Sequence, residues 1–221
     1  MFKGIKRAKT DIMITKAQLL QITPNVNPNR AALLAKLIND GIAKYKLPLG
    51  ALPEFIANIA HESGGFRLRK ESLLYTRPER LIAVWTTRFG VGKRDPNQYI
   101  NNSVKLANFV YGGRMGNVQP NDGSTFVGGG FAQITGRDAY TMYHRFSKRA
   151  GTVQDTAKWV QDTDEGAMDS AFWFFCEYKN LEEMGVQDNF RLLVSRWNGG
   201  LIGMPDRIKY LERARQVLGV Q

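Results

Sequence analysis

Apolar residues recur at helical spacing along most of the chain. Leu33, Leu34, Leu37, Ile38, Ile42 and Tyr45 line one helical face. Ahead of them stands Asn27-Pro28-Asn29, where Asn27 is the expected N-cap and Pro28 the first helical residue. Pro48 and Gly50 break the pattern. A second helix is predicted from Pro53, with Phe55, Ile59 and Glu62 on one face. Thr76-Arg77-Pro78-Glu79 has capping-box spacing before Leu81, Ile82, Trp85 and Phe89. Asp95-Pro96 predicts a further helix start, leading to Val104, Ala107 and Val110.

Between Tyr111 and Gly136 the helical period stops, and eight glycines fall in that window. Phe126-Val127 and Phe131-Ala132 are expected as short strands on either side of Gly128-Gly129-Gly130. Helices then resume with Ala139, Met142, Tyr143 and Phe146, and again from about Asp162 through Met168, Ala171, Phe172, Phe175 and Tyr178. Two more carry Leu193, Val194 and Trp197, then Ile208, Leu211, Ala214 and Leu218. The reading is a mainly α chain with one small irregular or β segment near 111–136.

At 221 residues, 43% of them hydrophobic, the chain has enough material for one compact domain without a disulfide or metal staple. Cys176 is the single cysteine, so no intrachain disulfide is possible. No run of about 18 apolar residues predicts a membrane span. The first eleven residues hold Lys3, Lys6, Arg7 and Lys9 with no apolar run after them, so a secretory leader is not expected. Met13 reads as a second possible start. Residues 1–12 are therefore expected to be a loose basic extension, and 13–221 a single domain. The 31 Lys and Arg against 20 Asp and Glu give a formal net charge of +11, which draws the protein toward polyanions.

Glu62 stands on the apolar face of its predicted helix. A carboxyl so placed is partly desolvated, which raises its pKa and suits it to donate a proton; a helix ending at Ser63-Gly64 would instead turn it to water. Glu71 follows nine residues later, beyond Gly64-Gly65-Phe66. The glycines allow the chain to fold back so that both carboxylates face one cleft, the equipment of glycoside hydrolysis. A surface pairing of Glu71 with Arg67 or Lys70 is the other reading. His61 lacks a second histidine four residues on and reads as a hydrogen-bonding wall residue, not a zinc ligand. With His144 the only other histidine, no metal site and no cofactor are expected. Cys176, inside an apolar aromatic run, reads as a packing residue. The amide of Asn198, in Asn198-Gly199-Gly200, can meet a sugar hydroxyl. Tyr75, Trp85 and Tyr111 can stack on sugars or pack in the core.

Several segments, in order, resemble the glycoside hydrolase family 19 chitinase and lysozyme superfamily, specifically its phage endolysin branch. They are Ile59-Ala60-His61-Glu62-Ser63-Gly64-Gly65-Phe66, Glu71-Ser72-Leu73-Leu74-Tyr75, Ala107 through Asn117, Gly130 through Tyr140, Trp197-Asn198-Gly199-Gly200 and Asp206-Arg207. The resemblance covers about residues 30–218. It implies a lysozyme-like bilobed helical domain with a substrate cleft. It also implies Glu62 as general acid and Glu71 as the carboxylate that activates water, with inversion at the anomeric carbon. Gln133, Asn198 and Arg207 match positions that line or shape the cleft. Thr87 falls where relatives carry a small hydroxyl residue, for which a water-positioning role is expected. One departure is clear: Val127-Gly128-Gly129-Gly130 replaces an Arg-Gly-Arg-Gly run, so both arginines are missing.

The expected function is that of a monomeric endolysin hydrolysing the β-1,4 glycan of peptidoglycan as a muramidase. It would be made in the host cytoplasm and reach the wall after holin-dependent release, with the anionic envelope as a partner by charge. The alternatives are a chitinase, a lytic transglycosylase, and a wall-binding virion module that has lost catalysis. Nucleic-acid binding rests on charge alone and has no motif behind it.

Overall fold

A computed structural model describes residues 13–220; the expected basic extension 1–12 lies outside the described residues. The chain is mainly helical with almost no strand. The helices are α1 (Lys16–Ile22), α2 (Ala31–Tyr45), α3 (Leu52–Glu62), α4 (Pro78–Val84), α5 (Ser103–Tyr111), α6 (Asp122–Thr125), α7 (Arg137–Ser147), α8 (Val153–Asp162), α9 (Asp164–Trp173), α10 (Glu182–Val186), α11 (Phe190–Asn198) and α12 (Met204–Leu218). A π-helical turn, Phe174–Tyr178, continues α9.

The apolar period locates the longer helices, and the differences lie at their ends. Helix α2 begins at Ala31, because Asn27 caps only a turn, its Oδ1 accepting from the Asn29 N–H at 2.9 Å. No side chain caps α4, so Pro78 starts it without the capping box expected of Thr76. Asp95 caps a short 3-10 turn, Pro96–Gln98, and α5 starts later, where Asn102 Oδ1 accepts from the Lys105 N–H at 2.9 Å. Helices α1, α6, α8 and α10 were not in the predicted set. Two of these carry capping boxes that the sequence displays. Thr15 pairs reciprocally with Gln18, and Thr152 with Asp155.

Three apolar clusters organise the described residues. The largest surrounds α3, whose residues Leu52 to Ala60 are all buried, and draws on α1, α2, α9, α11 and α12. A smaller one gathers Leu73, Leu81, Phe89, Tyr99, Leu106, Val110 and Val127. A third joins Phe126, Ile134, Tyr140, Tyr143, Val160 and Trp173. Helix α3 ends where the large cluster meets the chain leading into the small one.

The two strands expected around the triple glycine do not form. Phe126 ends α6, and Gly129 alone makes isolated bridges, to Lys70 on one side and Ile134 on the other. The backbone here is held by single hydrogen bonds: Glu71 N–H to Gly128 C=O at 2.8 Å and Gly130 N–H to Arg69 C=O at 2.8 Å. The segment that carries Glu71 is thereby fastened to the glycine stretch.

Candidate active site

Helix α3 delivers Glu62 at its last turn, with a side chain 21% exposed. The expected lone acid on an apolar face is instead an ion pair. Arg207, on the first turns of α12, donates from Nη2 to Glu62 Oε1, from Nη1 to Asn58 Oδ1 at 2.6 Å, and from Nε to the Ile202 carbonyl at 3.2 Å. Asn58 lies one helical turn before Glu62, so both reach the same guanidinium. Arg207 is only 1% exposed, and its buried charge is satisfied by these three acceptors.

After Glu62 the chain reverses sharply. Ser63 Oγ donates to the Ile59 carbonyl at 2.6 Å and accepts from the Phe66 N–H at 2.8 Å. Gly64, Gly65 and Phe66 follow in left-handed conformations with φ of 59°, 74° and 61°, which glycine adopts without strain. Phe66 is held there by burial, edge-on to Phe131 with ring centres 5.2 Å apart. Arg30 Nη1 donates to the Phe66 carbonyl at 2.9 Å. Buried Asp164 receives both Arg30 and Arg69, which pins the segment at both ends. Burial pushes the Asp164 carboxyl up, but the hydrogen bonds and charges of Arg30 and Arg69 outweigh it and hold it below the usual range.

Glu71 does not pair with Arg67 or Lys70 in the described residues; Arg67 Nε donates to the Gly64 carbonyl instead. The Tyr111 hydroxyl donates to Glu71, lying 2.8 Å from Oε2 and 3.0 Å from Oε1, and the Gly128 N–H approaches Oε2 at 3.4 Å. Tyr111 therefore points its polar end at Glu71 rather than offering a free face. Burial, and then the Glu71 charge, raise the tyrosine's pKa, so its proton stays in place as a donor. Tyr75 and Trp85 pack edge-to-face at 5.3 Å against the small cluster.

The glycine stretch shows why no arginine stands there. A Cβ on Gly129 would run into the Tyr140 hydroxyl and lie 2.8 Å from Gln161 Cγ. Those two side chains fill the space and hydrogen-bond each other at 3.1 Å. Val127 is buried in the small cluster. A Cβ on Gly128 would sit 2.8 Å from Gln133 Oε1 and 3.4 Å from Glu71 Oε2, so these two side chains flank the same glycine.

Gln133 and Asn198 line one groove of about 500 Å³, together with Thr135, Phe174, Tyr178, Lys179 and Trp197. Glu71 lines a second groove of about 330 Å³ with Lys70, Ser72, Leu74 and Val104. Asn198 Nδ2 donates to the Ile202 carbonyl at 3.4 Å, the same oxygen that accepts from Arg207. A run of contacts thus leads from Glu62 through Arg207 and Ile202 to Asn198. The shared groove then leads to Gln133, and Gly128 to Glu71. His61 turns outward from this run, its Nδ1 2.7 Å from Asp206 Oδ2. Thr87 is exposed on the turn after α4, and no described hydrogen bond joins it to either carboxylate.

Asn58, Asp206, Phe174, Tyr178 and Trp197 were not singled out as site residues from the sequence. For Asn58 the signal was present, since it stands four residues before Glu62. Trp197 and Asp206 stand beside Asn198 and Arg207 in segments that carry the resemblance, whereas Phe174 and Tyr178 come from a distant segment that only the fold joins. Among the described residues no three His, Cys, Asp or Glu side chains converge as a metal cage would require. Burial, with Glu182 and Glu177 nearby, raises the Cys176 thiol and keeps it unreactive. What remains is two carboxylates, one ion-paired and one held by neutral donors.

No family model matches the sequence. A glycosyl hydrolase family 19 domain-containing protein of Haemophilus influenzae is 32% identical over 171 residues, covering 74% of this chain and 77% of that protein. Chitinase C from Streptomyces griseus shares the fold at a TM-score of 0.62 and 17% identity, over 99% of this chain and 80% of that one. A bacterial family 19 chitinase matches at a TM-score of 0.61 and 17% identity, over 95% and 96%. The fold is thus the mainly α, lysozyme-like one of these enzymes. On the strength of the Haemophilus relative, the chain belongs to glycoside hydrolase family 19.

Proposed function

We propose that the protein hydrolyses β-1,4 bonds of bacterial peptidoglycan as a muramidase-type endolysin, with Glu62 and Glu71 as its two acid–base groups. The observation that carries this is the pair of differently held carboxylates, Glu62 on the Arg207 guanidinium and Glu71 on the Tyr111 hydroxyl, with the amides of Asn198 and Gln133 in a groove beside them. Glu62 enters the step protonated, gives that proton to the leaving glycosidic oxygen and returns to the carboxylate that Arg207 holds in the free enzyme; the proton that Glu71 takes from water goes back to solvent and Glu62 is reprotonated between turnovers. Glu71 takes a proton from a water molecule, which attacks the anomeric carbon from the opposite face and inverts it. Tyr111 fixes the Glu71 carboxylate while one oxygen turns to the water. Gln133 and Asn198 present amides to the sugar, and Trp197 and Tyr178 offer aromatic surface. The net charge of +11 favours an anionic wall. In this reading the enzyme acts on the wall after release from the host cytoplasm.

A chitinase is the second reading, favoured by the solved structures of similar fold, which are chitinases. Initial rates on purified peptidoglycan and on chitin oligomers, measured side by side, separate the two. Faster turnover of peptidoglycan supports the proposal. Turnover of chitin alone overturns it.

A further inference from the structure

The charge of this protein is unevenly spread. Residues 67–118, which build most of the small cluster, hold ten Lys and Arg against three acids, a surplus of seven. Residues 150–190 hold two against nine, a deficit of seven. In the basic region only Arg69 reaches a carboxylate among the described ion pairs. Elsewhere Arg30, Lys36, Lys44, Arg137, Arg207 and Arg215 are all paired.

The same region exposes apolar side chains, and several share one end of it. Helix α4 packs on the 3-10 turn Pro96–Gln98, and a bridge between Phe89 and Arg94 closes the loop just before that turn. On α4, Ile82 and Val84 are 38% and 47% exposed beside Arg80. On the loop, Val91 stands between two glycines and is fully exposed, with Lys93 and Arg94 following. Lys93 donates to the Thr86 carbonyl, which leaves its charge uncompensated. The acids at this end are Glu79, exposed on α4, and Asp95, which caps the 3-10 turn.

Exposed apolar side chains beside cations without carboxylate partners are complementary to a surface with anionic headgroups over hydrocarbon. A soluble polyanion would be bound by the cations alone and gives the apolar side chains nothing. We propose that the end formed by α4 and the 89–94 loop docks on anionic lipid, with Val91, Ile82 and Val84 entering the headgroup boundary and Arg80, Lys93 and Arg94 meeting phosphates. This goes beyond the glycosidase reading and does not depend on it.

The test is sedimentation of the full chain with vesicles of phosphatidylglycerol and phosphatidylcholine, against vesicles of phosphatidylcholine alone. Each cation near an anionic surface contributes about fivefold in affinity. The triple variant Arg80→Gln, Lys93→Gln, Arg94→Gln is therefore expected to bind about 100-fold more weakly. Val91→Asp is expected to weaken binding even in high salt. These residues are exposed, and an unchanged melting temperature checks the fold. A second variant neutralises Lys3, Lys6, Arg7 and Lys9 and is expected to keep most of the binding. Equal binding to both vesicle types overturns the proposal. So does unchanged binding in the triple variant, or loss only on neutralising the N-terminal lysines and arginine. Loss of binding to purified peptidoglycan sacculi, with vesicle binding intact, points to a lipid-free polyanion and also overturns it.

Discussion

At the end of α3, Glu62 meets a full positive charge. Nine residues later, Glu71 meets a phenol and a distant backbone N–H. The first carboxylate belongs to the large cluster, where Arg207 comes from α12 and is almost wholly buried. The second belongs to the small cluster, where Tyr111 ends α5. A buried guanidinium bound only to Asn58 and a carbonyl would be costly, so Glu62 and Arg207 stabilise each other as well as the site. Neutral donors do not impose that coupling. The Tyr111 hydroxyl and the Gly128 N–H set the direction of the Glu71 carboxylate. The comparison teaches that one carboxylate is tied to the stability of the fold, and the other mainly to geometry.

The largest expected effect is on chemistry. Glu62→Gln keeps an acceptor for Arg207 but leaves the buried guanidinium without an opposite charge, and is expected to lower turnover on the order of 10³-fold and stability by about 3 kcal/mol. Steady-state rates on peptidoglycan and a thermal melt check both halves. Arg207→Met tests the coupling itself. It leaves a carboxylate and an amide without their partner and is expected to cost about 4 kcal/mol in urea denaturation. A loss below about 1 kcal/mol would break the contrast between the two regions.

Asp164→Asn comes next, at about 3 kcal/mol, because it releases Arg30 and Arg69 from the segment between the carboxylates. Its pH dependence has a definite sign. Asp164 has a folded pKa below its unfolded value near 3.9, so its stabilisation is fully present above that value. It fades as pH falls through the depressed folded pKa. The melting temperature of the variant is expected to fall less steeply than that of the wild type as pH drops from about 5 to 2.

Tyr111→Phe sharpens the comparison at the other end. It removes the hydrogen bond from a neutral donor to a carboxylate, worth about 2 kcal/mol, and is expected to lower kcat about tenfold with KM nearly unchanged. A rise in KM with kcat unchanged would assign Tyr111 to the sugar instead of to Glu71. Thr87→Ala is expected to change rate and stability least, within about 0.5 kcal/mol, since the residue is an exposed turn position.

The helical period around Leu33–Tyr45 and Phe55–Glu62 was readable because one-sided burial leaves that pattern. The starts of α2 and α5 were misjudged because Asn27 and Asp95 cap turns that the chain abandons before the helix proper begins. The strands predicted beside the triple glycine failed because Gly129 is shaped by Tyr140 and Gln161, side chains from α7 and α8. Glu62 and Glu71 could be nominated locally, since nine residues and two glycines separate them. Arg207 was named only through the resemblance and Tyr111 only as an aromatic beside the sugar; their pairing with the carboxylates was not readable, because they lie 145 and 40 residues away in the chain. Only the packing of α12 on α3, and of the small cluster around Val110, brings them in.

The most direct test is mass spectrometry of purified peptidoglycan after digestion and borohydride reduction, comparing wild type with Glu62→Gln and Glu71→Gln. The account predicts fragments ending in reduced N-acetylmuramic acid from the wild type, and almost none from either variant. Ends in reduced N-acetylglucosamine or 1,6-anhydro sugar would contradict the bond or the reaction proposed. Undiminished digestion by either variant would contradict the two-carboxylate mechanism.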